Sequence, residues 1–286
     1  MAASCEQPLM IRVDTERVHG IQALLQPDAP LLKPGDVLPP LWHWIALARW
    51  PDVAVTGHDG HPRRPEGLED TPTRRMFAGG EVTFAQVPAR VGEQVTVQTE
   101  LGDVVQKSGR SGDFVLATFT TTVRNLAGKL VISEQQNVVY TDPRPADLGA
   151  PDGALPVVGR PLVARADGSV DLLTDPTVLL RFSALTANAH RIHYDLGYAR
   201  EVEKLPGLLV HGPLINLALA ELARTASHGR VVRRVRHRNL SPLFVGQPAV
   251  LAATTTAPDE ITAEATSDDG RTTSRVVVDF HEEDKS

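Results

Sequence analysis

Three of the ten histidines fall between positions 190 and 211. They lie in FSALTANAHRIHYDLGYAREVEKLPGLLVHGPL (182–214), with Asn188, Tyr194 and Asp195. The imidazole pKa lies nearest working pH, so this window is the first place to look for proton transfer. His190 and His193 follow a predicted helix, where side chains can project into a pocket. His211 and Gly212 stand directly before a strongly apolar run. A helix starting there would aim free N–H groups and its positive dipole end at the site. A developing oxyanion would be held by them. His43, His58, His61, His228, His237 and His281 lack such a setting and read as hydrogen-bonded structural residues. His190, His193 and Asp195 match no standard zinc spacing, so no metal is expected. No G-x-G-x-x-G opens a helix, and there is no G-x-S-x-G. KSGRSGD (107–113) lacks phosphate-loop spacing and reads as a hairpin turn.

The elements that must position these residues come in two similar sets. In the first half, Asp14 or Thr15 caps a helix in which Val18, Ile21, Leu24 and Leu25 recur at helical spacing, and Pro27 ends it. LPPLWHWIALARW follows, then a polar Gly/Pro-rich stretch, 57–80, expected to be a long loop. EVTFAQ, QVTVQTELGDVVQK, FVLATFTTTVRN and KLVISEQQNVVYT read as a meander of antiparallel strands. In the second half, Asp175 and Pro176 start one helix and YAREVEKL forms another. Residues 213–227 form a third, apolar almost all round and therefore buried. RVVRRVRHRN, QPAVLAATTTA, EITAEATSDD and TTSRVVVDFHE follow as strands. Both halves thus run helix first, strands after, an α+β layout with a sheet curled around a helix. No residue-level repeat connects them.

The length of 286 residues suits two domains of about 140 residues each. The seam is TDPRPADLGAPDGALPVVGRP, whose prolines and glycines read as a linker. Domains are expected at 1–145 and 161–286, joined by 146–160. A net charge of −6 gives no footprint for nucleic acid. No apolar run approaches the about 20 residues needed to span a bilayer. The opening MAASCEQPLMIRVDTERV lacks a secretory pattern. One cysteine allows no intrachain disulfide. A cytoplasmic location is the simplest expectation.

FSALTANAHRIHYD (182–195) followed by PGLLVHGPL resembles the C-terminal half of the MaoC-like dehydratases. The resemblance is to the group holding mesaconyl-C4-CoA hydratase, itaconyl-CoA hydratase and the yeast-type mitochondrial 3-hydroxyacyl-thioester dehydratase. PLWHW (40–44), DGHPRR (59–64), RRMFAGG (74–80), KSGRSG (107–112) and EQQNVVY (134–140) resemble the degenerate N-terminal half of the same group. The resemblance implies a double hot-dog fold, two antiparallel sheets each wrapped around a central helix. It implies reversible hydration of an enoyl thioester on coenzyme A or acyl carrier protein, with a branched C5 dicarboxylyl-CoA as one candidate substrate. No cofactor is expected beyond the coenzyme A of the substrate.

Related (R)-specific enoyl-CoA hydratases use an Asp, a His five residues later, and the glycine N–H of a His-Gly pair. The resemblance puts the His at His193 and the glycine at Gly212. The Asp position falls on Asn188, an amide that can orient water but cannot take its proton. The expected roles are His193 as base, Asn188 orienting water, Gly212 holding the thioester carbonyl, and His190 as competing acid/base. Asp195 reads as a helix cap or a histidine partner. Arg191, Tyr194 and His211 are expected to bind substrate, and Arg191 equally suits an ion pair within the fold. Arg234 and Arg236 share a strand face with Arg238 and suit CoA phosphates or a solvated face. RRMFAGG and DGHPRR are weaker phosphate candidates. The first half lacks the N-x-H-R-I-H string, so one active site per chain is expected. Competing readings are a hot-dog thioesterase and a non-catalytic acyl-thioester-binding subunit. Oligomeric state is open, a homodimer being one arrangement.

Overall fold

The computed structural model describes residues 7–109, 112–143, 157 and 159–281. Most of the expected linker lies outside the described residues. So do residues 110–111, at the tip of the expected hairpin, where Gly109 faces Gly112.

The first half supplies strands β1 (Leu9–Arg12), β2 (Arg74–Phe84), β3 (Gln94–Gly109), β4 (Gly112–Asn125) and β5 (Leu130–Thr141). The second supplies β6 (Leu162–Ala164), β7 (Val170–Leu172), β8 (Val232–Asn239), β9 (Ala249–Ala257), β10 (Glu260–Ser267) and β11 (Thr272–Phe280). They form one 11-stranded sheet in the order β1-β3-β4-β5-β2-β8-β11-β10-β9-β7-β6. The pairings are antiparallel. The two halves therefore meet edge to edge, where β2 pairs β8 from Gly79↔Arg238 to Thr83↔Arg234.

This seam corrects the expected loop at 57–80, because β2 begins at Arg74 and includes RRMFAGG. A glycine pair reads as a turn, but here it permits close approach on both sides. A Cβ on Gly80 would lie 2.0 Å from the Gln135 carbonyl oxygen, and one on Gly79 2.4 Å from that of His237.

The helices are α1 (Thr15–Leu25), α2 (His43–Ala46), α3 (Pro176–Leu185), α4 (Leu196–Glu201) and α5 (Gly212–Ala226). Asp14 caps α1 through the Arg17 N–H, and Asp175 caps α3 through the Val178 N–H. Pro176 occupies the first turn of α3, where its missing N–H costs nothing. Helix α5 packs against β8, β9, β10 and β11. Leu214, Leu217 and Leu219 on it are fully buried. Truncating such a leucine to alanine costs about 2–5 kcal/mol. In the first half the one-turn α2 reaches the sheet through side chains, His43 and Trp44 meeting the buried Glu134 of β5 at 3.1 and 2.7 Å. One hydrophobic core runs through both halves and takes residues from α1, α2, α3 and α5. This is the expected double hot-dog, corrected in one respect: the two expected sheets are joined into one by the β2–β8 pair, and the long helix it wraps is in the second half.

Candidate active site

The site forms where α3 ends, a short turn follows, and α5 begins. Helix α3 closes at Thr186, and Ala187 takes a left-handed φ of 51° that turns the chain back. The Asn188 N–H then donates to the Ser183 carbonyl at 2.9 Å. The Asn188 Oδ1 accepts from the His190 N–H at 3.0 Å. This side-chain turn consumes the amide oxygen and leaves Nδ2 as the group available to a ligand. His190 precedes a single 3-10 turn, Arg191–His193.

His193 lies in the chain's interior with its Nδ1 2.7 Å from the Leu209 carbonyl oxygen. A carbonyl only accepts, so Nδ1 carries the proton and Nε2 keeps its lone pair in the neutral ring. The His193 ring stacks on His211, centroids 3.6 Å apart and planes 17° from parallel. His211 is in turn held by Ser183 Oγ at 2.9 Å from its Nε2, and by the edge of Phe182 at 4.9 Å. His211 is the N-cap of α5 and Pro213 follows Gly212. The Gly212 N–H heads the helix, where no preceding turn offers it an acceptor. Asn239 packs against this glycine, since a Cβ there would lie 2.6 Å from its Nδ2. Sequence order thus places the stacked histidine immediately before the helix N-terminus.

The first half contributes a second wall. Its loop Asp59–Gly60–His61 docks on the 188–191 turn, with the Arg191 N–H donating to the Asp59 carbonyl at 2.9 Å. His61 Nδ1 is 3.1 Å from Asp59 Oδ2, and the His61 ring lies 4.1 Å from that of His190. His190 lies 5.7 Å from His193, so four imidazoles run in a row: His61, His190, His193 and His211. The reading of His61 as a structural residue apart from the site is corrected here. No spacing rule could connect position 61 with 190, because the pairing of the two halves brings them together.

Burial keeps the row neutral. It holds the His193 pKa down to about 4 against the Leu209 carbonyl, which pulls the other way, and His61 adds to the lowering. His190 is pushed far below its ordinary range by burial, then by His61, His193, Arg75 and Arg74. His211 is likewise far down, through burial and then His193 and His190. Burial also lowers His61, against the pull of its bond to Asp59. His190 Nε2 and His211 Nδ1 are buried without a hydrogen-bond partner among the described residues. Asp59, His61 and His190 also offer donor atoms within 4.8 Å of one another. Asp59 and His61 spend theirs on each other.

Other candidates are placed differently. Arg191 donates to Asp195 Oδ2 at 3.0 and 2.7 Å and lies 4.3 Å over the Tyr198 ring, the ion pair within the fold. Asp195 caps α4 through the Tyr198 N–H. Tyr194 is exposed, and its hydroxyl braces the turn from outside by donating to the Ala189 carbonyl at 3.0 Å. Arg234 and Arg236 need the plainest correction. His237 on the same strand reaches Asn216 of α5, so alternation puts both arginines on the face away from α5. There Arg234 holds Asp279 at 2.5 Å, and Arg236 holds Asp279 and Glu260 at 3.0 and 2.7 Å. These carboxylates already balance them, and they are not carried forward as phosphate ligands.

With this geometry in hand, comparison with known proteins is direct. A family model described as hydroxyacyl-thioester dehydratase type 2 matches residues 41–245. The chain is 39 % identical over 260 residues to mesaconyl-C(4)-CoA hydratase of Chloroflexus aurantiacus, covering 90 % of this chain and 89 % of that protein. It is 39 % identical over 75 residues to the mitochondrial hydroxyacyl-thioester dehydratase type 2 of Schizosaccharomyces pombe, covering 26 % of this chain and 25 % of that one. Among solved structures, HtdX of Mycobacterium tuberculosis superposes with a TM-score of 0.66 at 16 % identity, covering 98 % of this chain and 100 % of that one. Another M. tuberculosis protein, described as a double hotdog fold, gives 0.56 at 14 % identity, covering 98 % and 97 %. These structures share the fold. The family match and the mesaconyl-C(4)-CoA hydratase relative together establish that the chain belongs to the hydroxyacyl-thioester dehydratase type 2 family.

Proposed function

We propose that the protein is a hydro-lyase that adds water reversibly across an enoyl thioester, or removes it from a 3-hydroxyacyl thioester. The observation that carries this is His193, buried, neutral and fixed in one tautomer, stacked on the residue that heads α5. The thioester carbonyl accepts a hydrogen bond from the Gly212 N–H, which polarises the conjugated double bond and stabilises the enolate-like state. His193 Nε2 takes a proton from a water whose oxygen accepts from Asn188 Nδ2. That oxygen adds to C3. The proton returns from His193 to C2, leaving no net change in the enzyme. A depressed imidazole pKa suits this second half, because its conjugate acid gives up the proton readily. His190 lines the site beside His193 as the competing acid/base, and His211 packs behind it.

The carrier is coenzyme A or acyl carrier protein. A branched C5 dicarboxylyl-CoA is the favoured substrate, because one relative is a mesaconyl-C(4)-CoA hydratase. The enzyme needs no further cofactor, and we place it in the cytoplasm. Among the described residues no helix is long and apolar enough to cross a membrane. We also propose two hot-dog domains, 1–145 and 161–286, with 146–160 as linker, and a homodimer as one assembly of the chain.

The test is a screen of short, long, branched and carboxylated enoyl-CoAs, followed by loss of enoyl absorbance, with His193→Ala as control. Hydration that disappears in the variant supports the reading. Release of free thiol without loss of enoyl absorbance would make the protein a thioesterase. Tight binding with no turnover on any chain would make it an acyl-binding subunit.

A further inference from the structure

We propose that Arg75 binds a free carboxylate on the acyl part of the substrate, making the protein selective for enoyl thioesters that carry a second acid group. This deepens the hydration reading and rests on it.

The basic residues around Arg75 are already committed. Arg74 pairs with the buried Glu203 at 2.8 Å. Arg64 donates to the Thr71 hydroxyl and the Pro72 carbonyl at 2.7 and 2.6 Å and lies over the Tyr140 ring. Arg191 is held by Asp195 at 2.7 Å. The Arg75 side chain is half-buried and makes no ion pair or hydrogen bond among the described residues. A partly exposed guanidinium with no carboxylate bonded to it keeps its fork of N–H donors open to an incoming anion. A substrate anion would supply the missing partner.

Its location says which anion. Arg75 faces Tyr140 across the β2–β5 pair. Strand alternation puts it on the same face as Phe77. Phe77 stacks on His237 with centroids 5.2 Å apart and meets the edge of Trp44 at 5.9 Å, so this is the inner face of the sheet. The chain that leaves the Asp59–His61 loop returns here, since Arg64 lies over the ring of Tyr140, the cross-strand neighbour of Arg75. The Arg75 charge also acts on Asp59, His61 and His190, in keeping with that position. Reaction at C2 and C3 belongs to that row, so the anion reached by Arg75 is a substituent of the acyl chain. The phosphates of coenzyme A are strongly hydrated and suit the rim. The neighbouring imidazoles are neutral and do not compete for the anion. Asp59 is occupied by the His61 ring and by the His61 N–H at 3.0 Å. Guanidinium and carboxylate match as forks, which gives direction as well as charge.

The experiment compares kcat/KM for a carboxylated enoyl-CoA and for crotonyl-CoA in wild type, Arg75→Leu and Arg75→Lys. We expect Arg75→Leu to lower the carboxylated substrate by about 100-fold, mainly through KM, with crotonyl-CoA changed less than about threefold. Arg75→Lys should fall between. Equal loss on both substrates, or no loss on the carboxylated one, overturns the proposal. If Arg75→Leu does not fold, Arg75→Lys and wild type decide it by calorimetry. The saturated dicarboxylic acyl-CoA should then bind wild type at least about tenfold more tightly than its uncharged counterpart, with the preference reduced in Arg75→Lys. Equal binding overturns it. This binding readout needs no turnover, whereas failure of the hydration reading would appear as wild type hydrating neither substrate.

Discussion

Gly60 and Ala189 touch across the two halves of the molecule: a Cβ on Gly60 would lie 1.8 Å from the Ala189 carbonyl oxygen. Gly60 also has φ +92°, where other residues are strained. The first-half loop is thereby pressed against the turn that presents Asn188, His190 and His193. Gly60→Ala is expected to push this loop outward and lower hydration by about 10- to 100-fold. Gly35 is the control, since it also has positive φ (+96°) but open space around it. Gly35→Ala should cost stability alone, as melting curves and rates measured together would reveal.

His193→Ala should lower kcat by about 100- to 10,000-fold, the range for a lost general base. His190→Ala should cost less, because the proposed proton transfer runs through His193, whose tautomer the Leu209 carbonyl fixes. Near-normal hydration by His193→Ala beside a dead His190→Ala would reverse the assignment.

The histidine row makes both rate and stability sensitive to acid. In the unfolded chain these rings protonate near about 6.5, whereas native His193 does so at about 4. Between those values the unfolded state binds more protons, so the unfolding free energy falls as pH drops from about 6.5 towards 4. Above about 6.5 this contribution is fully present. Urea unfolding at pH 7, 6 and 5 should give falling midpoints. The acid limb of kcat/KM should lie well below pH 6.5. A limb at 6.5 would mean a solvated base.

Arg236→Ala should leave KM for the CoA thioester unchanged and cost about 1 kcal/mol of stability. Its partners Asp279 and Glu260 lie on β11 and on β10 beyond it, and Arg234 still compensates Asp279. A many-fold rise in KM would restore it as a phosphate ligand.

Dialysis against EDTA should leave the hydration rate unchanged. The Asp59 carboxylate is bonded to the His61 ring, so a cation would first have to break that bond. Loss of activity restored by a divalent metal would turn this trio into a metal centre.

The histidine string was legible because it is local. The cap at Asp175, the apolar helix from 213 and the N-x-H-R-I-H turn all lie within about 50 consecutive residues, and helix signals act over one or two turns. The alternation that puts Arg234 and Arg236 on one face is equally a backbone property. Which way that face looks is not, because it depends on the strand's side relative to α5. Their ion pairs with Asp279 and Glu260 could not be read in advance. The glycines at 79 and 80 misled for the same reason. Their meaning is close approach to β5 and β8, and residues far along the chain create that approach.

By itself the sequence determined the helices and strands and the buried helix, and it pointed to positions 188–212 as the place to look for chemistry, since these rest on short-range periodicity and residue type. Only the tertiary structure decided that β2 and β8 join the halves into one sheet. That pairing carries Asp59, His61 and Arg75 from the first half to the histidines of the second. It also buries the imidazoles so that they stay neutral, because desolvation is set by what packs around a side chain and not by its neighbours in the chain.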